Sequence, residues 1–504
     1  MPTLDSVLAT DVEAVAKSAQ GIDVAIVGSG PAGVTSAIEI ARAGYSVVIF
    51  EAGPFVLPAH VGSMPFRSRD ELTPKLHELV RYKTAWVDRN ELEHDRAPPL
   101  NNDAWSAVGG RSLFWGGCAP RFAEWDFDDW PIDCADIEPY YVRAENLMHV
   151  SGISEKRPAF FRGDEQTQLL ERLGKAGIRA RHAALGVDTE PARNGYVPRG
   201  FDCATDRLIR SGLLSLDVAR GRITLVPNAP VDQIVQANGR ADGLIVSEKE
   251  GNHRYRIRAK HVVLAGGAIQ STRLALASGL GALHDSVGKY VADHLFVQSL
   301  FKLKQPLGSA IYAFVEPTPE RPFHVQVQGP FPETWYTPYH ATVWLDCDPN
   351  GLYLLIYCFG VGEPSETHEV VLRKGASNAG GELGDYYVVA GRTEGDGATL
   401  RAMEAFLPGL ADAMGAECVR SQVNPAGAAL HEIGGLRMAA SADNGVVDTY
   451  GRFYALPNLS VADAAAWPSQ GSANSYLTIV AWSLRQAEGV IERLARDENQ
   501  LRSP

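Results

Sequence analysis

The amino-acid sequence predicts an α/β fold in which a domain with a parallel sheet is joined to a second domain built on an antiparallel β-sheet with helices. Residues 23–28 and 45–50 are short apolar runs typical of strands that are buried on both faces. Residues 31–43 between them favour a helix, and this order predicts a βαβ unit. Aromatic, strand-forming sequence interrupted by turn signals over 296–360 predicts the antiparallel sheet.

The composition excludes several classes of function. The chain has 504 residues, with 47 Lys and Arg against 60 Asp and Glu, so its formal net charge is −13. This acidic balance argues against nucleic acid and anionic membranes as partners. The six cysteines are widely separated, so we expect no disulfide scaffold and no metal site. Because a signal peptide and long apolar runs are absent from the sequence, we expect a cytoplasmic protein.

The loop after the first strand has the pattern G-x-G-x-x-G, formed by Gly28, Gly30 and Gly33. In a Rossmann-like domain the first glycine allows a tight turn and the second lets the backbone approach a pyrophosphate at the helix N-terminus. The third permits close packing of helix on strand. Glu51 ends the second strand and can accept hydrogen bonds from ribose hydroxyls. The pattern predicts a dinucleotide site, and by itself it leaves NAD and FAD as alternatives.

Further elements are predicted with less detail. In chain order they are a lid of irregular loops (54–104), helices (136–175), β-strands (222–265) and a helix (398–414). Apolar residues recur every three or four positions over 477–494, which predicts an amphipathic C-terminal helix. Ser472 and Asn474 are candidate N-caps for that helix.

Five segments resemble, in the same order, the glucose–methanol–choline (GMC) family of flavin oxidoreductases. They are the first Gly-rich loop with Glu51-Ala52-Gly53, residues 106–117 (SAVGGRSLFWGG), residues 262–271 with 277–279, residues 287–294, and the pair 431–438 and 474–478. The second of these is similar to the Gly-rich loop that lies along the flavin in this family. The resemblance implies FAD as the cofactor and covers most of the chain.

The resemblance also implies which residues contact FAD. They are Gly28, Gly30, Ala32, Gly33, Glu51, Ala52, Gly109, Gly110, Arg111, Ser112, Trp115, Gly116, Gly117, Cys118, Ala119, Val231, Ala265, Gly266, Asp463, Ala464, Asn474 and Thr478. Phe114 stands where pyranose oxidases carry a flavin-linking histidine. A phenyl ring has no nucleophilic nitrogen, so we predict that FAD is bound non-covalently.

Within the family, residues 107–110, 119–122 and 431–438 are most similar to the pyranose oxidase branch, which includes bacterial C-glycoside 3-oxidases. This implies oxidation of a secondary hydroxyl, at C2 or C3, of a pyranose or glycoside to a keto-sugar. Electrons would then pass to oxygen or to a quinone-like acceptor. The alternatives are a GMC-type lyase, a dehydrogenase of a non-sugar alcohol, a non-catalytic flavin-binding protein and an NAD-dependent dehydrogenase. The sequence leaves the oligomeric state open.

The same resemblance makes His431 and Asn474 the catalytic pair. Removing a hydride from a carbinol carbon requires a base for the hydroxyl proton, and a neutral histidine suits this role. Asn474 would orient the same hydroxyl. The structural alternatives are a core histidine and a plain N-cap. Asp293-His294 is expected to form a structural turn near the cofactor.

The FAD-binding domain is expected to be discontinuous. It would comprise residues 20–55, 105–135, 218–295 and 431–497, with the substrate-binding domain and lid segments at 56–104, 136–217 and 296–430. Aromatic residues between 335 and 359 suit the apolar faces of sugar rings, although most would be core at this spacing. Trp335, Tyr336 and Tyr339 are the favoured candidates for a sugar platform.

Overall fold

The computed structural model describes residues 10–18, 21–56, 81–87, 100–190, 201–218, 221–248, 253–330, 352–373 and 386–502. Its α-helices are α1 (Val12–Lys17), α2 (Pro31–Arg42), α3 (Cys134–Leu147), α4 (Asp164–Lys175), α5 (Ala204–Arg207), α6 (Ala268–Ala277), α7 (Glu394–Met414) and α8 (Tyr476–Arg502). Its strands are β1 (Val24–Val27), β2 (Val47–Phe50), β3 (Arg81–Val87), β4 (Leu100–Trp105), β5 (Ala180–His182), β6 (Ile223–Val226), β7 (Val231–Ala237), β8 (Arg240–Ser247), β9 (Arg254–Ile257), β10 (His261–Leu264), β11 (Leu295–Leu303), β12 (Ile311–Val315), β13 (Phe323–Gly329), β14 (Tyr353–Gly360), β15 (Glu369–Leu372), β16 (Tyr386–Val389), β17 (Ala416–Val423) and β18 (Leu459–Val461).

Five strands form a parallel sheet in the order β18–β10–β1–β2–β6. Val24 of the central strand lies opposite His261 of β10 on one side and Val47 of β2 on the other. Every residue of β2 and β10 is buried, as expected of strands covered on both faces. The sheet confirms the predicted parallel α/β unit. Helices α2 and α8 pack together, and there Ser36 Oγ donates to Gln486 Oε1 at 3.0 Å.

Six strands form a second sheet in the order β17–β11–β14–β13–β12–β5, and all of its pairs are antiparallel. Successive side chains of a strand point to opposite faces. Phe323, Val325 and Val327 of β13 enter an apolar core that also contains residues of α7. His324 and Gln326 therefore project from the other face. The predicted antiparallel sheet of the second domain is confirmed, whereas the exact domain boundaries stay a prediction.

We call the other side of this sheet the site face, and it is defined by Phe296, His324, Gln326 and Phe359. All four residues are buried, so this face is covered as completely as the apolar core. The rings of Phe296 and Phe359 are stacked with centroids 4.6 Å apart. Buried polar side chains need hydrogen-bond partners, and His324 and Gln326 find them in the segment that contains Ser472 and Asn474.

Two smaller sheets also occur among the described residues, in the orders β7–β8–β9 and β15–β16–β3–β4. The second of them corrects the prediction of irregular loops over 54–104, because β3 and β4 fall in that range. Proline is frequent in this part of the sequence, which favoured a prediction of loops, but both strands lie between the prolines and contain none. Among the described helices, none is both long and apolar enough to cross a membrane.

Candidate active site

The Gly-rich loop between β1 and α2 has a different requirement at each glycine. Gly28 has a φ of 101°, and a Cβ atom on it would lie 2.5 Å from the carbonyl oxygen of Ala265. A Cβ on Gly33 would lie 2.0 Å from the carbonyl oxygen of Gly28. A Cβ on Gly30 would meet no protein atom within 4 Å. Two glycines thus serve tight packing, while Gly30 and the first turn of α2, which includes Ala32, form a cradle suited to phosphate.

Glu51 lies beside this loop with its side chain buried. One carboxylate oxygen accepts hydrogen bonds from the backbone N and the Oγ of Ser29, at 3.0 and 2.6 Å. The other accepts from the backbone N of Gly53 at 2.9 Å and from Ser106 Oγ at 3.5 Å. Burial raises the pKa of Glu51, and these hydrogen bonds oppose the rise. Glu51 therefore joins the first Gly-rich loop to the start of the second, while the role of the adjacent Ala52 toward FAD stays a prediction.

The second Gly-rich loop, residues 106–119, lies against the first. Gly109 and Gly110 have φ values of 101° and 54°, which are unfavourable for other residues. A Cβ atom on Gly110 would lie 3.4 Å from the Cα of Gly30, so the two loops meet there. Ser112 fixes the loop to α5, because its Oγ accepts a hydrogen bond from the backbone N of Ala204 at 2.8 Å.

The remainder of this loop is also held by protein contacts. Trp115 Nε1 donates to the carbonyl of Asp202 at 2.6 Å, and the backbone N of Ala119 donates to the carbonyl of Ala184 at 2.8 Å. The residues between them are Gly116, Gly117 and Cys118. Burial raises the pKa of the Cys118 thiol to about 12.

Arg111 connects the second Gly-rich loop to the segment of the candidate base. Its Nη1 donates to the carbonyl of Leu430 at 2.8 Å, and its guanidinium forms a two-pronged ion pair with the buried carboxylate of Glu432. This geometry is the strong form of the Arg–carboxylate interaction. The predicted role of Arg111 toward FAD stays a prediction, while its role in joining the two segments is observed.

The remaining predicted FAD contacts lie in or directly after four elements of the fold. They are Ala265 and Gly266 after β10, Asp463 and Ala464 after β18, Val231 at the start of β7, and Thr478 in α8. The Asp463 carboxylate accepts hydrogen bonds from the backbone N of Gly267, from Ser271 Oγ and from the backbone N of Ala465. Thr478 Oγ1 lies 2.7 Å from the hydroxyl of Tyr141. These positions stay predicted FAD contacts, and four of them (Ala265, Gly266, Asp463 and Ala464) follow the carboxyl ends of parallel strands, where such sheets bind dinucleotides.

Asp293 fixes the backbone that carries His431. Its Oδ1 accepts a hydrogen bond from the backbone N of His431 at 2.8 Å. Its Oδ2 accepts from the backbone N of Ala429 and Leu430, at 3.0 and 3.3 Å. Burial, followed by the charge of Glu432, raises the pKa of Asp293 to about 7. The structural role predicted for Asp293 agrees with these contacts.

The imidazole of His431 lies between a second histidine and Asn474. Its Nδ1 is 3.1 Å from Nδ1 of His294, and its Nε2 is 3.5 Å from Nδ2 of Asn474. The ring centroid is 5.1 Å from that of Phe359 on the site face. Burial, followed by the charges of His294 and His324, lowers the pKa of His431 well below its usual value. His431 is therefore neutral near pH 7, as a base must be.

Asn474 receives a hydrogen bond from the site face, because Gln326 Nε2 donates to its Oδ1 at 2.7 Å. Helix α8 begins at Tyr476, two residues later, and the predicted N-cap role is wrong for Asn474 and for Ser472. The physical reason is that both side chains have buried partners elsewhere. Ser472 Oγ donates to Asp126 Oδ2 at 2.8 Å.

The side chains that contact this pair are not among the residues predicted from the sequence. His294 was expected only to form a turn, yet its ring contacts His431. His324 and Gln326 lie in an alternating H-V-Q-V-Q sequence whose polar members marked a buried polar face. The proposed sugar platform of Trp335, Tyr336 and Tyr339 lies outside the described residues.

Comparison with protein families gives two matches to models of the GMC oxidoreductase family. They cover residues 103–296 and 398–483, which together exceed half of the chain. A model described as an FAD binding domain matches residues 23–61.

Three relatives match along nearly the whole chain. The 6'''-hydroxyparomomycin C oxidase of Streptomyces lividus is 26% identical, over 94% of this chain and 92% of the relative. The 2-methyl-1,2-propanediol dehydrogenase of Mycolicibacterium austroafricanum is 26% identical, over 97% and 98%. The C-glycoside 3-oxidase of Microbacterium trichothecenolyticum is 25% identical, over 94% and 98%.

A solved structure supports the fold. A variant of formate oxidase from Aspergillus oryzae RIB40 superimposes with a TM-score of 0.69 at 16% identity, covering 97% of this chain and 100% of the other. The family matches, together with the cradle at Gly30, show that FAD is the cofactor. The chain therefore belongs to the GMC oxidoreductase family and is an FAD-dependent enzyme that oxidises CH–OH groups.

Proposed function

We propose that this enzyme oxidises a secondary hydroxyl, at C2 or C3, of a pyranose sugar or glycoside to a keto-sugar. Oxygen or a quinone-like compound would be the electron acceptor. The observation that carries oxidation of a hydroxyl group is the 3.5 Å separation of His431 Nε2 and Asn474 Nδ2. An acceptor and a donor at this distance suit a single alcohol oxygen that contacts both. The similarity to a C-glycoside 3-oxidase supports a carbohydrate substrate and includes C-glycosides among the candidates.

His431 and Asn474 divide the work on the hydroxyl group. Bound FAD supplies the acceptor for the hydride that leaves the carbinol carbon. His431 accepts the hydroxyl proton on Nε2, and its lowered pKa keeps the imidazole neutral, and so able to accept a proton, near neutral pH. Asn474 Nδ2 donates a hydrogen bond to the same oxygen and limits rotation about the C–O bond of the substrate. The N-terminal amides of α8, two residues further on, favour negative charge in their vicinity.

The site face supplies an apolar surface next to this pair. The ring of Phe359 lies 5.1 Å from His431 and stacks on Phe296, and Tyr357 lies beside both at centroid distances of 6.1 and 5.5 Å. Pyranose rings present C–H faces that pack well on aromatic rings. The aromatic rings here are buried, so they form an apolar wall behind the base, and the carbohydrate class rests on the similarity to the C-glycoside 3-oxidase.

An anaerobic substrate screen tests the proposal. The enzyme would be mixed with free pyranoses, O-glycosides, C-glycosides and 2-methyl-1,2-propanediol while the yellow flavin absorbance is followed. We expect carbohydrates to bleach the flavin and to yield a product lighter by two hydrogens, whose NMR spectrum distinguishes a 2-keto from a 3-keto sugar. Repeating the reaction with oxygen and with a benzoquinone identifies the acceptor.

The same screen distinguishes a carbohydrate substrate from the main alternative, a small non-sugar alcohol. The similarity to 2-methyl-1,2-propanediol dehydrogenase favours a small, non-sugar alcohol as a second candidate substrate class. Bleaching by the diol, with every carbohydrate inactive, would replace the carbohydrate proposal by that alternative. Turnover of a substrate without any flavin bleaching would instead indicate a lyase.

A further inference from the structure

We propose that His294 is a positioning residue that holds His431 in the tautomer whose Nε2 has no proton, and that the carbonyl of Gly471 sets this arrangement. The inference deepens the proposed function, because it identifies what prepares the base. It starts from two ring nitrogens: His294 Nδ1 and His431 Nδ1 lie 3.1 Å apart. One of them must donate to the other, and the surrounding groups decide which.

The carbonyl of Gly471 fixes the proton of His294. His294 Nε2 lies 2.7 Å from this oxygen, and a carbonyl can only accept a hydrogen bond. His294 Nε2 therefore carries hydrogen. Complete burial of the ring lowers the pKa of His294 to about 4, so the imidazole is neutral and has a single N–H. His294 Nδ1 is consequently an acceptor.

Gln470 supports the same assignment from another direction. Its side-chain Nε2 donates to His294 Nδ1 at 2.7 Å and to the carbonyl of His431 at 2.8 Å. Both partners must then be acceptors, as the carbonyl of Gly471 already requires for His294. The proton between the two histidines accordingly belongs to His431 Nδ1, and this N–H shares the single lone pair of His294 Nδ1 with Gln470 Nε2. In the neutral ring this leaves His431 Nε2 unprotonated, on the side of Asn474.

The chain of hydrogen bonds also shows that His294 is not a proton relay. A proton passed from His431 through His294 would arrive at the carbonyl of Gly471, which cannot release it further. The contact therefore orients the ring and selects its tautomer without carrying a proton away. The hydroxyl proton must arrive and leave on the Nε2 side of His431.

A similar chain of hydrogen bonds orients Asn474, and it starts from the carbonyl of Ser472, next to Gly471 in the sequence. His324 Nδ1 lies 2.8 Å from the carbonyl of Ser472, so His324 Nε2 is an acceptor. Gln326 Nε2 donates both to that nitrogen, at 3.1 Å, and to Asn474 Oδ1, at 2.7 Å. Because His324 Nε2 can only accept, it fixes the orientation of the Gln326 amide, whose Oε1 at the other end accepts from the Tyr312 hydroxyl at 2.7 Å. Asn474 therefore presents Nδ2, a donor, toward His431.

The first experiment reads the tautomer directly and needs no substrate. The holoenzyme would be labelled with ¹⁵N-histidine, and the His431 signals would be identified by their loss in the His431→Ala variant. We expect Nδ1 of His431 to be protonated and Nε2 to be unprotonated in the wild type. A proton on Nε2 would overturn the inference. Because this result does not depend on any reaction, it stays separate from failure of the proposed function.

The second experiment changes the partner. His294→Leu removes the acceptor, so the proton of His431 should redistribute to Nε2, and the limiting rate of flavin reduction should fall by on the order of 10²-fold. Substrate affinity should change little, because His294 lies behind the base. His294→Gln can accept from His431 and donate to Gly471, so it should recover most of the lost rate.

The matched control is His261→Leu, which removes another buried histidine, bound to Ser460 in the parallel sheet. It should leave the tautomer and the rate unchanged. A His294→Leu enzyme with the wild-type tautomer and rate would refute the inference. If His294→Leu does not fold, the spectrum of the wild type and the rate of His294→Gln decide instead.

Discussion

The part of the site that binds the dinucleotide and the part that binds the hydroxyl group are built in different ways. The first consists mainly of backbone: Gly28, Gly30 and Gly33 are required for their lack of a Cβ atom or for the open space beside them. The second consists of side chains that meet from distant segments, such as His431 and Asn474. A site made of main chain, such as the Gly-rich loop, is determined by residues that are close together in the sequence. A side-chain network is specified by the packing of whole elements.

The difference predicts that changes in the two parts should separate cofactor binding from chemistry. His431→Ala should show the largest effect, a loss of on the order of 10²-fold or more in the rate of flavin reduction, because the base for the hydroxyl proton is removed. FAD content should stay at the wild-type level. Stopped-flow reduction measures the rate, and the absorbance ratio measures the flavin.

His253→Ala is the matched control, since this histidine is largely exposed on the surface. It should reduce at the wild-type rate. A His431→Ala enzyme that reduces normally would contradict the assignment of the base and would remove the distinction between the two parts.

The glycines of the first loop test the backbone part. Gly33→Ala should destabilise the protein by about 3 kcal/mol, because its Cβ would lie 2.0 Å from the carbonyl oxygen of Gly28. Gly30→Ala should leave the stability within about 0.5 kcal/mol of the wild type. It should nevertheless weaken FAD binding by on the order of tenfold, because the methyl group occupies the phosphate cradle. Denaturant unfolding of the apoprotein and FAD titration measure the two effects, and equal destabilisation by both variants would argue against this division.

The main-chain part of the site could be predicted from the sequence, whereas most of the side-chain part could not. The parallel βαβ unit and the Gly-rich loops were predicted because each lies within one stretch of chain. His431 and Asn474 were identified by resemblance. The partners His294, His324 and Gln326 were missed, since strand alternation gives their face but not what covers it. Only folding brings the carbonyls of 471–472 within reach of both histidines.

Glu51 is a side chain that holds the main chain of the dinucleotide-binding part in place. Each oxygen of its carboxylate accepts hydrogen bonds from two donors, so both oxygens must be acceptors. Glu51→Gln would place an NH₂ group against one of these sets of donors. We therefore expect Glu51→Gln to lose FAD during purification nearly as readily as Glu51→Ala, by several-fold in occupancy. Full occupancy in the glutamine variant would show that one oxygen suffices.

A smaller effect is expected from pH. The pKa of His431 is lowered by burial and by neighbouring positive charge, so its base form persists below the usual histidine range. Protonation of His431 should accordingly lower the limiting rate of flavin reduction only below about pH 6.5. Asp293 holds the backbone of His431 and its pKa is raised to about 7, so a shallow change of rate near pH 7 would belong to that carboxylate. Stopped-flow measurements between about pH 5 and 8 test this, and a half-maximal rate at or above about pH 6.5 would contradict it.

The smallest effect is expected from Cys118, the nucleophile nearest to Phe114 in the second Gly-rich loop. Only a thiolate attacks an electrophilic carbon efficiently, and burial raises the pKa of this thiol to about 12, so it is protonated at neutral pH. Phe114 offers no nucleophile at all. We therefore predict that FAD is held by hydrogen bonds, the helix N-terminus and packing, without a covalent bond.

Acid precipitation tests this prediction directly. The supernatant should be yellow and the pellet colourless, and Cys118→Ser should behave in the same way as the wild type. A yellow pellet from the wild type, or a tryptic peptide heavier by the mass of FAD, would contradict the prediction. A colourless pellet from Cys118→Ser alone would then identify Cys118 as the linked residue. In that case a side chain bonded to the flavin would belong to a part of the site that we describe as backbone, and the contrast between the two parts would have to be redrawn.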